Sequence, residues 1–109
     1  MNSEQLQTLS AIDRVVHEPA RLMILTILYH LESADFIFIL NQTSLTRGNL
    51  STHLSKLESE GYIIIQKEFI DKMPRTLLRI TPSGKNALLT YRDNMSQALK
   101  NLPNKSLKD

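Results

Sequence analysis

Residues 45–63 read LTRGNLSTHLSKLESEGYI, and they predict one helix with a buried stripe and a polar outer face. Thr46 is a favoured N-cap residue, and Gly61 suits the left-handed backbone that follows a last helical turn. Between them, three leucines recur at spacings of four and three, which places them on one narrow stripe. These leucines are Leu50, Leu54 and Leu57. We expect the stripe to be buried and to anchor the helix.

The opposite side of this helix carries short polar side chains and one strong cation. Helical rotation places on it Gly48, Asn49, Thr52, Ser55, Lys56 and Ser59, with Arg47, Ser51 and His53 on the flanks. A solvated helix face more often carries Glu and Lys pairs four residues apart. Asn, Ser, Thr, Arg and Lys are instead the side chains that meet base edges and phosphates in a major groove. The composition of this face therefore favours DNA recognition.

A hairpin follows the helix. Residues 62–69 and 76–80 are rich in β-branched and aromatic residues, as is typical of two antiparallel strands. The break between them, residues 70–75, contains turn-forming residues and two cations, Lys72 and Arg75. We expect both cations to project from the hairpin tip toward a phosphate backbone. Hairpin tips are also often basic for solubility alone, so each cation taken singly leaves that alternative open.

The N-terminal half predicts two core helices. Pro19 suits a first helical turn, and residues 22–31 are apolar nearly all round, so that helix should be the most buried. Residues 33–35 predict the start of a second core helix, which a short turn separates from Thr46. Residues 35–60 then form a helix-turn-helix. An amphipathic helix precedes both, and its apolar side comprises Leu6, Leu9, Ile12 and Val16.

The C-terminal region predicts a helix over residues 82–101. Thr81 is a capping hydroxyl, and Pro82 fits the first helical position. Five residues on this helix alternate by three and four, as in the seam of a short coiled coil. They are Leu88, Tyr91, Met95, Ala98 and Leu102. We expect this stripe to dimerise two chains, and the alternative is that it packs on its own domain.

Three segments of the chain resemble the winged-helix transcriptional regulators, within the small group near the MarR-like and ArsR-like repressors. They are residues 17–25, residues 45–63, and residues 74–76 with 80–84. The likeness spans residues 15–92. It implies an α+β, mostly α, fold: a winged helix-turn-helix domain with a two-stranded wing over about 62–80 and a C-terminal dimerisation helix. The expected domain covers residues 1–102, and residues 103–109 form a frayed tail.

The resemblance also implies how DNA is bound, with helix 47–60 in the major groove, residues 70–75 on the backbone or minor groove, and a dimer reading two half-sites. Thr46 and Gly48 would approach phosphate through backbone amides at the helix N-terminus. Arg47 would reach either a base or the backbone. The full predicted DNA-binding set is Thr46, Arg47, Gly48, Asn49, Ser51, Thr52, His53, Lys56, Lys72 and Arg75.

Composition agrees with one folded domain that binds nucleic acid. The chain has 109 residues, 41% hydrophobic, and a formal net charge of +2. Residues 1–42 contain two arginines against five acidic residues, whereas the remainder contains eleven lysines and arginines against six acidic residues. The basic excess therefore falls on the predicted recognition helix and wing.

Other classes of function are disfavoured. The absence of cysteine rules out disulfides and thiolate metal sites, and the three histidines have no ligand-like spacing, so we expect no metal or cofactor. No glycine-rich phosphate loop or nucleophile beside a base stands out, so we expect no enzyme. The absence of a signal sequence or membrane span predicts a cytoplasmic protein.

Two alternatives stay open from the sequence. The first is a winged helix kept as a protein-interaction module without DNA binding, because a fold does not fix a function. The second concerns regulation: a crevice between the terminal helices and the body would hold a small apolar effector, although no residue specifies one.

Overall fold

Side-chain caps start all five helices in the computed structural model, which describes residues 2–103. In α2, α3, α4 and α5 the capping side chain accepts a hydrogen bond from the third helical amide, and α2 and α5 have proline at their start. The elements of the described part are α1 (Ser3–Ser10), α2 (Pro19–Leu31), β1 (Ser33–Asp35), α3 (Phe36–Thr43), α4 (Arg47–Ser59), β2 (Ile63–Ile70), β3 (Met73–Ile80) and α5 (Pro82–Ala98). The expected mostly helical winged fold is confirmed.

Helix α4 has the predicted ends. The Thr46 hydroxyl accepts a hydrogen bond from the Asn49 amide at 3.1 Å. At the other end Gly61 adopts a left-handed φ of 81°, and the Tyr62 amide donates to the Leu57 carbonyl at 3.0 Å. This bond and the bond from the Gly61 amide to the Glu58 carbonyl, at 2.9 Å, form a Schellman motif, which satisfies carbonyls at the end of the helix and turns the chain directly into β2.

The wing is a hairpin with a tighter turn than the sequence predicted. Only Asp71 and Lys72 lie between the strands, and both have left-handed φ values, 51° and 67°. A two-residue turn of this kind matches the twist of the flanking strands, so pairing continues outward to Ile70 and Met73. The predicted six-residue break was therefore too long. Pro74 lies within β3, beyond the residues that pair with β1, where its missing amide costs no ladder bond.

A third strand joins the hairpin, giving an antiparallel sheet in the order β1-β3-β2. Strand β1 pairs with Leu77–Arg79 of β3. The sequence had predicted that residues 33–35 start a helix, and this was wrong for the first two of them. Asp35 does cap α3, since its carboxylate accepts a hydrogen bond from the Phe38 amide at 2.8 Å.

The core lies between the sheet and helices α2, α3 and α4. The predicted stripe of α4 is buried, with Leu50 and Leu57 fully covered and Leu54 2% exposed. Helix α2 has more buried residues than any other helix of the described part, as expected, although one of its sides, including Met23 and Leu31, remains exposed. The largest fully buried side chains are Val16, Ile24, Leu25, Leu28, Ile39, Leu50, Leu57, Ile63 and Leu78.

The terminal helices pack against each other, α1 on α5. Helix α1 ends at Ser10 and not near Val16 as predicted, because the Asp13 carboxylate accepts hydrogen bonds from the amides of Val15 and Val16. Such local bonds compete with helix continuation. Helix α5 ends at Ala98, three residues before the predicted end. The predicted frayed tail lies outside the described residues from residue 104 onward.

Candidate nucleic-acid interface

The polar side of α4 is open to solvent. Seven of the eight predicted DNA-binding positions between residues 46 and 56 are exposed, and no other segment covers them. They are Thr46, Arg47, Gly48, Asn49, Ser51, Thr52 and Lys56. Residues 47–57 contain no acidic side chain, so this surface has hydrogen-bonding groups and cations but no charge that would repel a phosphate.

The first turn of α4 combines a cation with an open backbone. The Arg47 guanidinium lies 5.9 Å from the centre of the Phe36 ring, within the range of a cation–π contact that leans it toward α3. A Cβ built on Gly48 would meet nothing within 4 Å. The amides near the helix start are thus reachable by an anion, which the positive end of the helix dipole favours.

His53 differs from the other predicted contact residues, because its side chain is 20% exposed and turned toward α2. Its Nδ1 lies 3.2 Å from Nη1 of Arg21 and 3.8 Å from a carboxylate oxygen of Glu18. Arg21 in turn donates from Nε to the Val15 carbonyl at 2.6 Å. In this arrangement His53 ties α4 to the start of α2.

The two predicted wing cations have different surroundings. Lys72 is exposed at the turn, as expected. Arg75 lies within β3, where its Nε is 3.6 Å from Asp35 and its Nη1 is 3.6 Å from Glu68. Over residues 2–103, the Arg75 Nε is also the one buried side-chain nitrogen or oxygen without a hydrogen-bond partner. The prediction that Arg75 projects from the tip was therefore wrong, because two carboxylates hold it against the sheet.

The structure adds residues that the sequence analysis did not select. A cleft of about 290 Å³ separates α4 from the wing, and Lys67 of β2 lines it together with Ser51, Ser55 and Thr76. Lys67 and Ile65 are two positions apart in β2 and so share one sheet face. This alternation was the sequence signal that could have placed Lys67 beside α4. A cation therefore lies next to the polar face of α4, in the concave side between helix and wing.

The predicted dimerisation stripe packs largely within the chain. Tyr91 is 9% exposed and Ala98 is fully buried. Leu88 and Met95 are half-buried against the core, and Leu102 is exposed. Most of the stripe thus follows the alternative of packing on its own domain, and dimerisation through it stays a prediction.

A groove of about 500 Å³ lies between α2 and α5. Its wall is mainly apolar and includes Leu22, Tyr29 and Leu88, while His30 and Arg92 supply basic groups. Within the described residues, no cluster of three metal-ligating side chains occurs and no helix is long and apolar enough to span a membrane.

Tyr62 joins the wing base to the segment between α1 and α2. Its hydroxyl donates a hydrogen bond to the Asp13 carboxylate. Burial, and then this bond to a carboxylate, raise the pKa of Tyr62 well above its ordinary value. The contact ties the residue that precedes β2 to the segment between α1 and α2.

Comparison with known proteins relates this geometry to a family. Residues 20–99 match the model of a family described as winged helix DNA-binding domain. An uncharacterised protein of Methanocaldococcus jannaschii is 34% identical over 89 residues, covering 82% of this chain and 97% of that protein.

Solved structures agree with this match. A transcriptional regulator homologue from Pyrococcus horikoshii superposes with a TM-score of 0.80 at 28% identity, covering 88% of this chain and 94% of the other. NadR in complex with 4-hydroxyphenylacetate shares the fold, with a TM-score of 0.63, 21% identity, and coverage of 87% and 64%. A MarR-family transcriptional regulator from Silicibacter pomeroyi shares the fold at 14% identity, with a TM-score of 0.58 and coverage of 91% and 68%. The family match over residues 20–99 confirms the winged-helix resemblance.

Proposed function

Because the chain belongs to the winged helix DNA-binding domain family, we propose that it is a transcriptional regulator that binds duplex DNA sequence-specifically through α4 and the wing. The observation that carries this proposal is the exposed face of α4, which presents hydrogen-bonding side chains and cations without an acidic group over residues 47–57. A major groove admits one α-helix, and its base edges pair with such side chains.

The exposed residues of α4 divide into two roles. Near the helix start, the Thr46 cap and the open backbone at Gly48 suit a phosphate, because unpaired amides and the helix dipole converge there. Farther along, Asn49, Thr52 and Lys56 share the outer face and suit base edges, and Ser51 adds a hydroxyl on the flank that borders the cleft. In contrast, His53 acts in this proposal through its contact with Arg21, which orients the helix.

The wing supplies a second contact to the backbone or minor groove. Lys72 at the turn and Lys67 in the cleft are the cations placed for phosphate. Arg75 is balanced by two carboxylates and so contributes less than the sequence suggested. We further propose a homodimer, since symmetric half-sites lie about 34 Å apart along the duplex. DNase footprinting together with sedimentation measures half-site spacing and oligomeric state.

The test of DNA binding is fluorescence anisotropy on duplexes selected from genomic fragments, measured across a range of salt. Lys72→Ala should weaken binding to all sequences and lower the salt slope by about one counterion. Asn49→Ala should instead change preference at one base position, by about 1–3 kcal/mol. Lys100→Ala, an exposed cation beyond α5, is the matched control and should change neither quantity.

Two outcomes would contradict the proposal. If wild-type protein shows no salt-sensitive binding to any duplex, DNA binding is refuted, as the alternative of a protein-interaction module predicts. If Lys72→Ala keeps the full slope while Asn49→Ala shifts preference, the major-groove assignment stands and the wing contact fails.

A small-molecule effector is a second element of the proposal, which the groove between α2 and α5 supports. Its apolar wall suits a small aromatic acid, the class to which the NadR ligand belongs. His30 lies at this wall, and the Arg92 guanidinium, which is paired with the neighbouring Asp93 at 3.0 Å, would exchange that exposed ion pair for the ligand carboxylate. Calorimetric titration with 4-hydroxyphenylacetate as the probe should show binding that Arg92→Ala weakens and Arg14→Ala, at an exposed arginine outside the groove, leaves unchanged. Absence of heat with this probe and with related benzoates would contradict it.

A further inference from the structure

The tip of the wing is apolar, which is unusual for the most exposed part of a hairpin. Phe69 is 76% exposed and Met73 is 67% exposed, and Ile70 beside them is 45% exposed. These residues directly flank the Asp71–Lys72 turn. Exposed apolar side chains that occur together mark a surface that contacts a partner, whereas a tip selected for solubility would be polar.

The position of Phe69 relates this tip to the recognition helix. Phe69 and Pro74 are cross-strand partners, and alternation along the strands places them on the same sheet face as Lys67 and Thr76. That face lines the cleft beside α4. Since a strand rises about 3.3 Å per residue, Phe69 lies roughly 7 Å farther from the body than Lys67, on the side of the protein where α4 presents its polar residues.

The charges around the tip indicate what it meets. Lys72 at the apex and Lys67 nearer the body are the cations on this part of the hairpin that no salt bridge within residues 2–103 engages, whereas Arg75 is held by two carboxylates. Asp71, the other residue of the turn, is an exposed acid, so Lys67, Asp71 and Lys72 together leave a positive excess. Phe69 and its cross-strand partner Pro74 thus lie between two cations, Lys67 and Lys72. This arrangement complements a polyanion with an apolar interior. Stacked bases between two phosphate strands have this character.

We infer that the wing tip enters the minor groove next to the site of α4 and that Phe69 wedges between two base pairs, with Lys72 on the flanking phosphate. Apolar wedges of this kind partly unstack a step and open the minor groove toward the protein. The inference rests on the proposed DNA binding and adds a source of specificity. Flexible pyrimidine–purine steps unstack more readily, so they would be preferred under the wing without any hydrogen bond to a base.

The test uses the full chain and a bound duplex with 2-aminopurine at successive positions under the wing. Binding should raise the fluorescence at one step, because unstacked 2-aminopurine is brighter. Phe69→Ala should abolish that rise and weaken binding by about tenfold, as expected when an aromatic side chain that stacks on a base is removed. The matched control is Ile64→Ala, an exposed residue at 52% on the other sheet face near the body, which should change neither signal.

A second variant separates a wedge from simple electrostatic contact. Phe69→Lys adds a cation at the tip, so a wing that only lies along the phosphates would bind more tightly. A wedge predicts weaker binding despite the added charge. Because Phe69 is largely exposed, neither substitution should lower the unfolding midpoint.

The outcomes distinguish the inference from the function on which it rests. Wild-type binding without any rise in fluorescence, or tighter binding by Phe69→Lys, would overturn the wedge and leave the regulator intact. Absence of wild-type binding would overturn the regulator itself. If Phe69→Ala instead converts a dimer to a monomer in sedimentation and the fluorescence is unchanged, the tip is an interface between copies of the chain and the wedge is wrong.

Discussion

Substitution of Gly48 by alanine should separate the needs of the fold from the needs of DNA binding. Gly48 is the second residue of α4, and a Cβ there would meet no atom within 4 Å. Its φ is not positive either, in contrast to Gly61. Neither packing nor backbone conformation therefore requires glycine, although glycine weakens a helix interior by about 1 kcal/mol relative to alanine.

The expected change in stability follows directly. Gly48→Ala should raise the free energy of unfolding by about 0.5–1 kcal/mol, which corresponds to roughly 2–8 °C in Tm for a domain of this size. Urea denaturation and calorimetry measure both. Gly84→Ala is the control of opposite sign in the first turn of α5. Its Cβ would overlap the Tyr62 carbonyl oxygen, so overpacking should cost about 1–3 kcal/mol.

The effect on DNA should oppose the gain in stability. If a phosphate approaches the amides near Gly48, the new methyl group keeps it away, and loss of one hydrogen bond to a charged group costs about 1.5–3 kcal/mol. We expect Kd to rise at least about tenfold. A stabilised variant that binds DNA as tightly as wild type would refute the phosphate contact. A destabilised variant would refute the description of the local structure.

Three further substitutions test the wing and its base. Lys72→Gly should leave the fold as stable or stabilise it by up to about 1 kcal/mol, because it relieves a left-handed φ of 67°. It should nevertheless weaken DNA binding as much as Lys72→Ala does. Urea denaturation measures the stability, and fluorescence anisotropy measures the binding. Arg75→Gln should lower the urea midpoint, because two carboxylates lose their cation, but should keep the salt slope of binding, and a slope reduced by one counterion would show that Arg75 contacts phosphate after all. For Tyr62 the folded state binds the hydroxyl proton more tightly than the unfolded state, so its contribution is fully present below the ordinary pKa of 10.0 and is lost as the pH rises above it. Wild-type protein should therefore lose more stability than Tyr62→Phe between about pH 9 and pH 11, and equal losses would contradict the contact with Asp13.

Local signals accounted for the elements nearest the proposed site. The start of α4 at Thr46, its end before Gly61 and its leucine stripe were all predicted, and all are confirmed. The start of α5 after Thr81 was predicted for the same reason. Capping and periodicity depend on residues within four or five positions of one another, so the chain encodes them without reference to the rest of the fold.

Local signals failed where a short segment or a charged side chain depends on a distant partner. Strand β1 has three residues, too few for an alternating pattern, and it exists because β3 offers an open edge more than forty positions later. In the same way, Arg75 was expected at the tip because nothing near it in sequence shows that Asp35 will lie beside it.

The amino-acid order alone was thus sufficient for the winged helix-turn-helix, for the start and end of α4 and for an outer face of that helix without acidic groups. Folding in three dimensions settled which of the predicted cations are free to meet a phosphate, turned His53 toward Arg21, and left Phe69 and Met73 at the end of the wing. The physical reason is how far apart in the sequence the interacting residues lie. A cap or a stripe is formed by neighbours in the chain, whereas a side chain's charge balance and exposure depend on every segment that folding brings within a few ångströms of it.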